Sequence, residues 1–338
     1  LLPITALNPD GAQYGLHPAL TGVQQLFAQG TCAVVANVGP LVQPVTRAAY
    51  LNGSVPLPPQ LFSHNDQQDQ WQTLKGRAVV KTGWAGRIAD ALQASAGDGK
   101  VPINVSLAGT VVQQVGERTV AYSMGRANAP EFTGLNAANA VNAGRKAAFE
   151  QLLDGAGAGI HGRAFATVER RAISTAANVN AALARAPTIA TAFPASGLGQ
   201  QLAMVAKLIA VRNDLAVSRQ VFFVSTGGYD THDDQLEDHP ALLGDLSASL
   251  KAFQDALVEL SVADKVVSFT QSDFGRTLTS NGDGTDHGWG GHQLVVGGSV
   301  LGQRIYGAMP RLEIGGPDDT TGGRIIPTTA VDQYAATL

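Results

Sequence analysis

Residues 219–232 read Arg219-Gln-Val-Phe-Phe-Val-Ser-Thr-Gly-Gly-Tyr-Asp-Thr-His232 and give the clearest indication of the fold. It begins with a nearly continuous apolar run, which is typical of a strand covered on both faces. Two glycines then allow a sharp turn out of the strand. Asp230 and His232 follow, two positions apart, so they would project to the same side of an extended segment. The pattern predicts a buried strand with a polar site at its carboxyl end.

The pattern continues on the C-terminal side of this stretch. Residues 241–260 have helical periodicity, and residues 265–270 form a second apolar run. A third apolar run lies at 293–298. A strand, a helix and a strand in succession indicate parallel strands joined by a crossover helix. The sequence therefore predicts an α/β fold with a mostly parallel central sheet and helices on both faces.

The domain organisation follows from chain length and from a change of composition in the middle of the chain. A chain of 338 residues is within the size of one large α/β unit, so residues 1–338 are predicted to form a single domain. Residues 143–213 are rich in alanine and have helical periodicity, which predicts a helical insert or cap. Residues 332–338 resemble the opening of a helix without a stop signal, so we expect a fragment of a longer polypeptide.

Composition excludes several classes of protein. Charged residues make up 15% and hydrophobic residues 44%, which is incompatible with a disordered chain. The net charge is −4 and no Lys/Arg run interleaves with aromatic residues, so no nucleic-acid partner or anionic membrane surface is predicted. No apolar stretch reaches the roughly 18–20 residues that span a bilayer. Small molecules and proteins remain as partners.

Two further polar segments flank the later apolar runs. Asp273 and Arg276 follow the second run, where they suit either a metal or oxyanion site or an ion pair that holds the loop. Asp286, His287 and His292 precede the third run, in a stretch dense in glycine that lets side chains crowd a ligand. Open α/β sheets bind ligands at their strand ends. We therefore expect these segments to meet and to hold one or two divalent ions.

The other histidines allow two interpretations. His64 and Gln68 are four positions apart and share one face of the helix predicted over 63–74. That helix is either part of the site or a polar surface helix. The remaining three histidines are predicted to have structural roles, in which they hydrogen-bond to nearby groups of the chain: His17, His161 and His239.

Several short motifs lie along nearly the whole chain. They are Gly15-Leu16-His17-Pro18-Ala19-Leu20, Ser63-His64, Gly83-Trp84-Ala85-Gly86-Arg87, residues 225–232, Ser272-Asp273-Phe274-Gly275-Arg276, Gly284-Thr285-Asp286-His287-Gly288 and Gly302-Gln303-Arg304-Ile305-Tyr306-Gly307. These motifs and their order resemble an exported bacterial family called domain of unknown function 1501, a relative of the alkaline phosphatase and sulfatase superfamily.

The resemblance implies a metal-dependent hydrolase site at the strand ends. The implied metal ligands are Asp230 with His232, Asp273, and Asp286 with His287, while His292 is a competing candidate. The ion is expected to be zinc, calcium, magnesium or manganese. Asp273 and Arg276 are the implied catalytic residues, and Arg276 would neutralise the ester oxygens through two parallel hydrogen bonds.

The resulting hypothesis is a periplasmic or secreted hydrolase that acts on a phosphate or sulfate ester of a small molecule or a polymer. The family implies a twin-arginine export signal and a first strand that ends in a nucleophile, both of which are expected outside this sequence. The alternative hypothesis is a non-catalytic exported binding or scaffold protein that reuses the fold.

Overall fold

The computed structural model describes residues 1–76, 78, 80–93, 101–132, 134–135, 139–155 and 159–338. Within these ranges the chain is a mixed α/β protein. The strands are β1 (Leu2–Ile4), β2 (Tyr14–Leu16), β3 (Cys32–Gly39), β4 (Asn104–Ser106), β5 (Tyr122–Ser123), β6 (Val221–Phe223), β7 (Ser268–Phe269), β8 (Arg276–Ser280), β9 (Thr285–His287), β10 (Gly291–Val296), β11 (Arg304–Tyr306) and β12 (Thr329–Ala330). The α-helices are α1 (Thr21–Ala28), α2 (Arg47–Leu51), α3 (His64–Thr73), α4 (Trp84–Leu92), α5 (Ala140–Gly155), α6 (Ile160–Leu183), α7 (Gly197–Ala210), α8 (Gln235–Glu259) and α9 (Val331–Thr337).

The largest sheet is built around β3, whose residues are nearly all apolar and buried. Such a strand needs cover on both faces and partners on both edges. β10 pairs antiparallel with β3, with Leu294 opposite Val34, and β7 continues the sheet antiparallel to β10. β11 and β12 run parallel to β3. The strand order is therefore β11-β3-β10-β7, with β12 also beside β3.

A separate sheet contains β5, β4 and β6, which are all parallel. Asn104 on β4 lies opposite Val221 on β6. Among the described strands, β6 and β7 each leave one edge unpaired. Residues of both strands line one cavity of about 1370 Å³, which extends to the polar loop after β6.

The mostly parallel central sheet expected from the sequence is not confirmed. β6 and β7 belong to different sheets, and β10 is antiparallel to both of its neighbours. The β8–β9 hairpin, and no crossover helix, lies between β7 and β10, so the chain returns in the opposite direction. Burial on both faces was also expected for the apolar runs, but β6 and β7 are only partly buried, because their residues line the cavity. An apolar run does not encode strand direction in any case.

The helices pack on the sheets through apolar faces. The largest buried cluster joins α6, α7 and α8 to β4 and includes Val105, Val179, Leu208 and Leu257. A second cluster packs α1 between β3 and α8, and Gly22 approaches Ser247 so closely that a Cβ would lie 2.8 Å from its carbonyl oxygen. No helix in the described part of the chain is long and apolar enough to cross a membrane.

The segment 143–213 is helical in its described part, where it contains most of α5, all of α6 and α7, and no strand. α7 is amphipathic and buries Leu202, Val205 and Leu208 in the largest apolar cluster. Its role as a cap over a site stays a prediction.

Candidate metal centre

The loop after β6 carries the first pair of candidate residues. Gly228 adopts φ +93°, a conformation that favours glycine, and the Tyr229 hydroxyl donates to the carbonyl oxygen of Leu242 on α8 over 2.9 Å. The loop then turns, because the His232 backbone N–H donates to the Asp230 carbonyl oxygen. As a result, His232 Nε2 lies 3.1 Å from Asp230 Oδ1, on the same side as the sequence predicted.

The β8–β9 hairpin supplies the second pair. Arg276 lies opposite His287 in the hairpin register. Gly284 sits against the His232 loop, where a Cβ would lie 2.4 Å from the His232 carbonyl group. This close approach brings Asp286 and His287 to the end of β6 although the hairpin belongs to a different part of the chain.

The four residues predicted to converge do so. His287 Nε2 lies 2.9 Å from both Asp230 Oδ1 and His232 Nε2. Asp286 Oδ1 lies 3.3 Å from His232 Nδ1. Asp230 retains 41% of its side-chain exposure, so a small ion can reach the group from solvent.

His64, at the start of α3, completes the cluster. Its Nε2 lies 3.1 Å from Asp230 Oδ2. The ligand atoms of His64, Asp230 and His287 lie within 4.8 Å of one another, a spacing that could hold one metal ion. The sequence left α3 either as part of the site or as a polar surface helix, and the structure places its first residue in the site.

All three imidazoles are oriented through their outer nitrogen. His64 Nδ1 lies 2.7 Å from Asp273 Oδ2, and His287 Nδ1 lies 2.8 Å from the Phe62 carbonyl oxygen. His232 Nδ1 faces Asp286. Each of these Nδ1 partners is an acceptor, and Asp230 is an acceptor on the Nε2 side of His64 and His287. A ring that held a metal ion through Nε2 would carry its proton on Nδ1, where the carboxylate or carbonyl partner would accept it.

Asp273 therefore contacts His64 on the side of the ring that faces away from Asp230. Its Oδ2 also accepts a hydrogen bond from Gln68 Nε2 over 2.8 Å. Its carbonyl oxygen accepts bonds from Gln67 Nε2 and Trp71 Nε1 over 2.7 and 3.2 Å. The shared helix face predicted for His64 and Gln68 is thus the face of α3 that hydrogen-bonds to Asp273.

Arg276 pairs with Asp230, and not with Asp273 as the loop-pair interpretation required. Its Nη1 donates to Asp230 Oδ1 over 2.5 Å. Its Nε donates to Thr285 Oγ1 over 3.1 Å, and its Nη2 donates to the Thr285 carbonyl oxygen. These bonds fix the guanidinium beside the cluster.

The charges of the cluster favour an ionised carboxylate at its centre. Burial acts to raise the pKa of Asp230, but hydrogen bonds from His64 and Arg276, with the nearby His287 and His232, outweigh it and lower the pKa to about 2. The hydrogen bond with Asp273 raises the pKa of His64 against the opposing effect of burial. Asp230 is therefore a permanent anion at neutral pH.

His292 lies apart from these contacts. Its Nδ1 accepts a hydrogen bond from the Asn37 backbone N–H over 3.2 Å. Within the described ranges it makes no hydrogen bond to the cluster. Conversely, the predicted ligand set did not contain His64, for which the Ser63-His64 motif was the available signal. The Phe62 carbonyl that contacts His287 Nδ1 was also not predicted, and no sequence signal marks it.

The fold and the site define a mixed α/β protein with a histidine- and aspartate-lined candidate metal centre. The chain belongs to the family described as protein of unknown function (DUF1501), whose family model matches residues 11–321. The resemblance found in the sequence is confirmed at the level of this family. No curated protein and no solved structure matches the chain.

Proposed function

We propose that this protein is an exported metal-dependent hydrolase that cleaves a phosphate or sulfate ester of a small molecule or polymer. The observation that carries the proposal is the convergence of three oriented Nε2 atoms on the Asp230 carboxylate. The same proposal includes three further parts. The protein is a relative of the alkaline phosphatase and sulfatase superfamily, it is exported to the periplasm or medium, and residues 1–338 form one domain with a cap at 143–213.

The residues fit a divalent ion by the chemistry of their donor atoms. His64, His232, His287 and Asp230 would hold it through three imidazole nitrogens and one carboxylate oxygen. Imidazole nitrogens suit zinc, whereas calcium, magnesium and manganese prefer oxygen ligands. Zinc is therefore the leading candidate among the four ions expected from the family resemblance.

Asp273 and Asp286 act through the imidazoles in this proposal. Each accepts a hydrogen bond from the outer nitrogen of one ring, which fixes the ring and raises its basicity. The residues predicted as direct ligands at these positions are thus proposed to be positioning residues.

Arg276 supplies positive charge where the ester would sit. Its three described hydrogen bonds use three of the five guanidinium N–H groups, which leaves two that can donate to ester oxygens. When bound, a divalent ion would act as a Lewis acid toward those oxygens. Asp230 would keep the guanidinium oriented during the reaction.

The test is metal content followed by ester hydrolysis. The full-length protein, purified without chelator and then dialysed against zinc or manganese, is analysed for bound metal and assayed with p-nitrophenyl phosphate and p-nitrophenyl sulfate. We expect one ion per chain and hydrolysis that EDTA abolishes. His161 is exposed on α6, so His161→Gln is the matched control that should keep both. A chain that takes up no metal and hydrolyses neither ester contradicts the proposal.

One observation favours the alternative of a non-catalytic binding or scaffold protein. Arg276 already neutralises Asp230 within the protein, so the carboxylate has a partner without an ion. This alternative predicts that the wild-type chain binds zinc no more tightly than its His287→Gln variant. Calorimetric titration of both chains separates the two functions.

A further inference from the structure

Two histidines outside the cluster lie against each other. The ring centroids of His17 and His239 are 6.0 Å apart, with the rings tilted by 56°. His17 precedes α1 and His239 is in the first turns of α8. Helices α1 and α8 are fixed to each other because Val23 N–H donates to Ser247 Oγ over 3.1 Å in a buried position. The pair is therefore held by the packing of two helices.

The pair borders the cavity that extends to the candidate metal centre. His17 and His239 line the same cavity as Asp230 and Arg276. The loop that carries Asp230 is tied to α8 one turn beyond His239, through the Tyr229 hydroxyl. Burial, then the charges of His17 and Arg276, lower the pKa of His239, so its environment is short of negative charge.

Both rings have hydrogen-bonding capacity to spare. His17 Nδ1 accepts the Ala19 backbone N–H over 3.2 Å, so in the neutral ring the proton is on Nε2 and can be donated. Within the part of the chain that the structure describes, neither ring hydrogen-bonds to a carboxylate. Arg276 borders the same cavity; it is paired with Asp230, but two of its N–H groups are not used by its three described hydrogen bonds. Two imidazole donors and these N–H groups can together receive an oxyanion.

We propose that His17 and His239 form, with Arg276, an oxyanion-binding wall that holds the phosphate or sulfate group of the substrate opposite the metal ligands. This inference rests on the proposed function for its substrate class. It assigns a binding role to two residues for which the sequence predicted structural roles.

The experiment measures binding of inorganic phosphate to the intact chain by calorimetry, with and without zinc. The variants are His17→Asn, which retains a side-chain oxygen for the Ala19 N–H, and His239→Gln. We expect each to weaken phosphate binding about tenfold, the effect of losing one hydrogen bond to a charged group, while zinc affinity stays within twofold. His161→Gln serves as the control, and circular dichroism with thermal unfolding verifies the fold of every chain.

The outcomes separate this inference from the proposed function. If folded His17→Asn and His239→Gln bind phosphate with an affinity within twofold of wild type, the proposed oxyanion-binding wall is wrong. A second zinc ion that is lost in these variants also overturns it, because the pair would then be a metal site. If the chain hydrolyses no ester but its phosphate binding still depends on both histidines, the proposed function fails and the wall stands.

Discussion

The Nε2 atoms of His232 and His287 lie 2.9 Å apart, although 55 positions separate the two residues in the chain. The outer nitrogen of each ring faces an acceptor, the Asp286 carboxylate or the Phe62 carbonyl. If the outer nitrogen of each neutral ring carries the proton, two Nε2 lone pairs face each other beside Asp230. Such an arrangement is unfavourable unless a proton or a metal ion lies between the nitrogens, and it gives rise to the first prediction.

His287→Gln removes the nitrogen that contacts both Asp230 and His232. We expect zinc affinity to fall by more than the roughly 10–100-fold that loss of an outer hydrogen-bond partner costs, because a ligand atom itself is lost. Calorimetric titration with zinc measures the change against His161→Gln. Equal affinity in the two variants would exclude His287 as a ligand.

Asp273→Asn keeps an acceptor beside His64 Nδ1 but removes its charge. We expect zinc affinity to fall by about 10–100-fold while the stoichiometry stays at one, as for the loss of a partner that orients a ligand. Metal analysis after dialysis gives the stoichiometry and titration gives the affinity. Complete loss of the ion would instead make Asp273 a direct ligand, as the sequence predicted.

Arg276→Ala and Arg276→Lys test the cation beside Asp230. If the guanidinium stabilises the transition state, the alanine variant should lose roughly 10²–10³-fold in kcat, about 2–4 kcal/mol, and the lysine variant should lose less. Thermal unfolding is expected to show both chains folded. A turnover within about twofold of wild type, together with lower thermal stability, would restrict Arg276 to holding Asp230.

His239→Gln should flatten the dependence of stability on pH. The fold lowers the pKa of His239, so the unfolded chain binds a proton at this residue more readily than the folded chain does. Wild-type stability is therefore lost as the pH falls through the ordinary histidine pKa near 6.5 and toward the lowered pKa of the folded chain. Urea unfolding of the metal-free chains at pH 7 and at pH 5 measures the two slopes. A steeper loss in the variant than in wild type would have the wrong sign for a lowered pKa.

Gly284→Ala tests how the hairpin and the His232 loop are held together. A Cβ there would lie 2.4 Å from the His232 carbonyl group, so we expect a loss of about 1–3 kcal/mol in unfolding free energy and weaker zinc binding. Gly144 lies in α5 with open space around it, and Gly144→Ala should stabilise the chain by about 0.5–1 kcal/mol. Denaturant unfolding compares them. Unchanged zinc binding in Gly284→Ala would show that the site tolerates a shifted hairpin.

The local elements and the residue types of the site were predictable from the sequence alone. Apolar runs located β6, β7 and β10, and helical periodicity located α3 and α7 to within a few residues, because side-chain spacing and burial act over short distances. The helix predicted over 241–260 begins later than α8, which starts at Gln235. Asp230 and His232 lie on one side as their spacing predicted, but on a turn and not on an extended segment. The family motifs identified the DUF1501 family, which the comparison over residues 11–321 confirms.

Strand direction and the partners of the polar groups depend on tertiary packing and could not be predicted from the sequence. An apolar run is equally suited to a parallel or an antiparallel neighbour, so the division into separate sheets was not encoded locally. His64 contacts Asp230 although 166 positions separate them, and Arg276 forms its ion pair with Asp230 and not with Asp273, which is closer in sequence. Such contacts depend on how α3, the β8–β9 hairpin and the β6 loop pack together, and no spacing within a single segment contains that information.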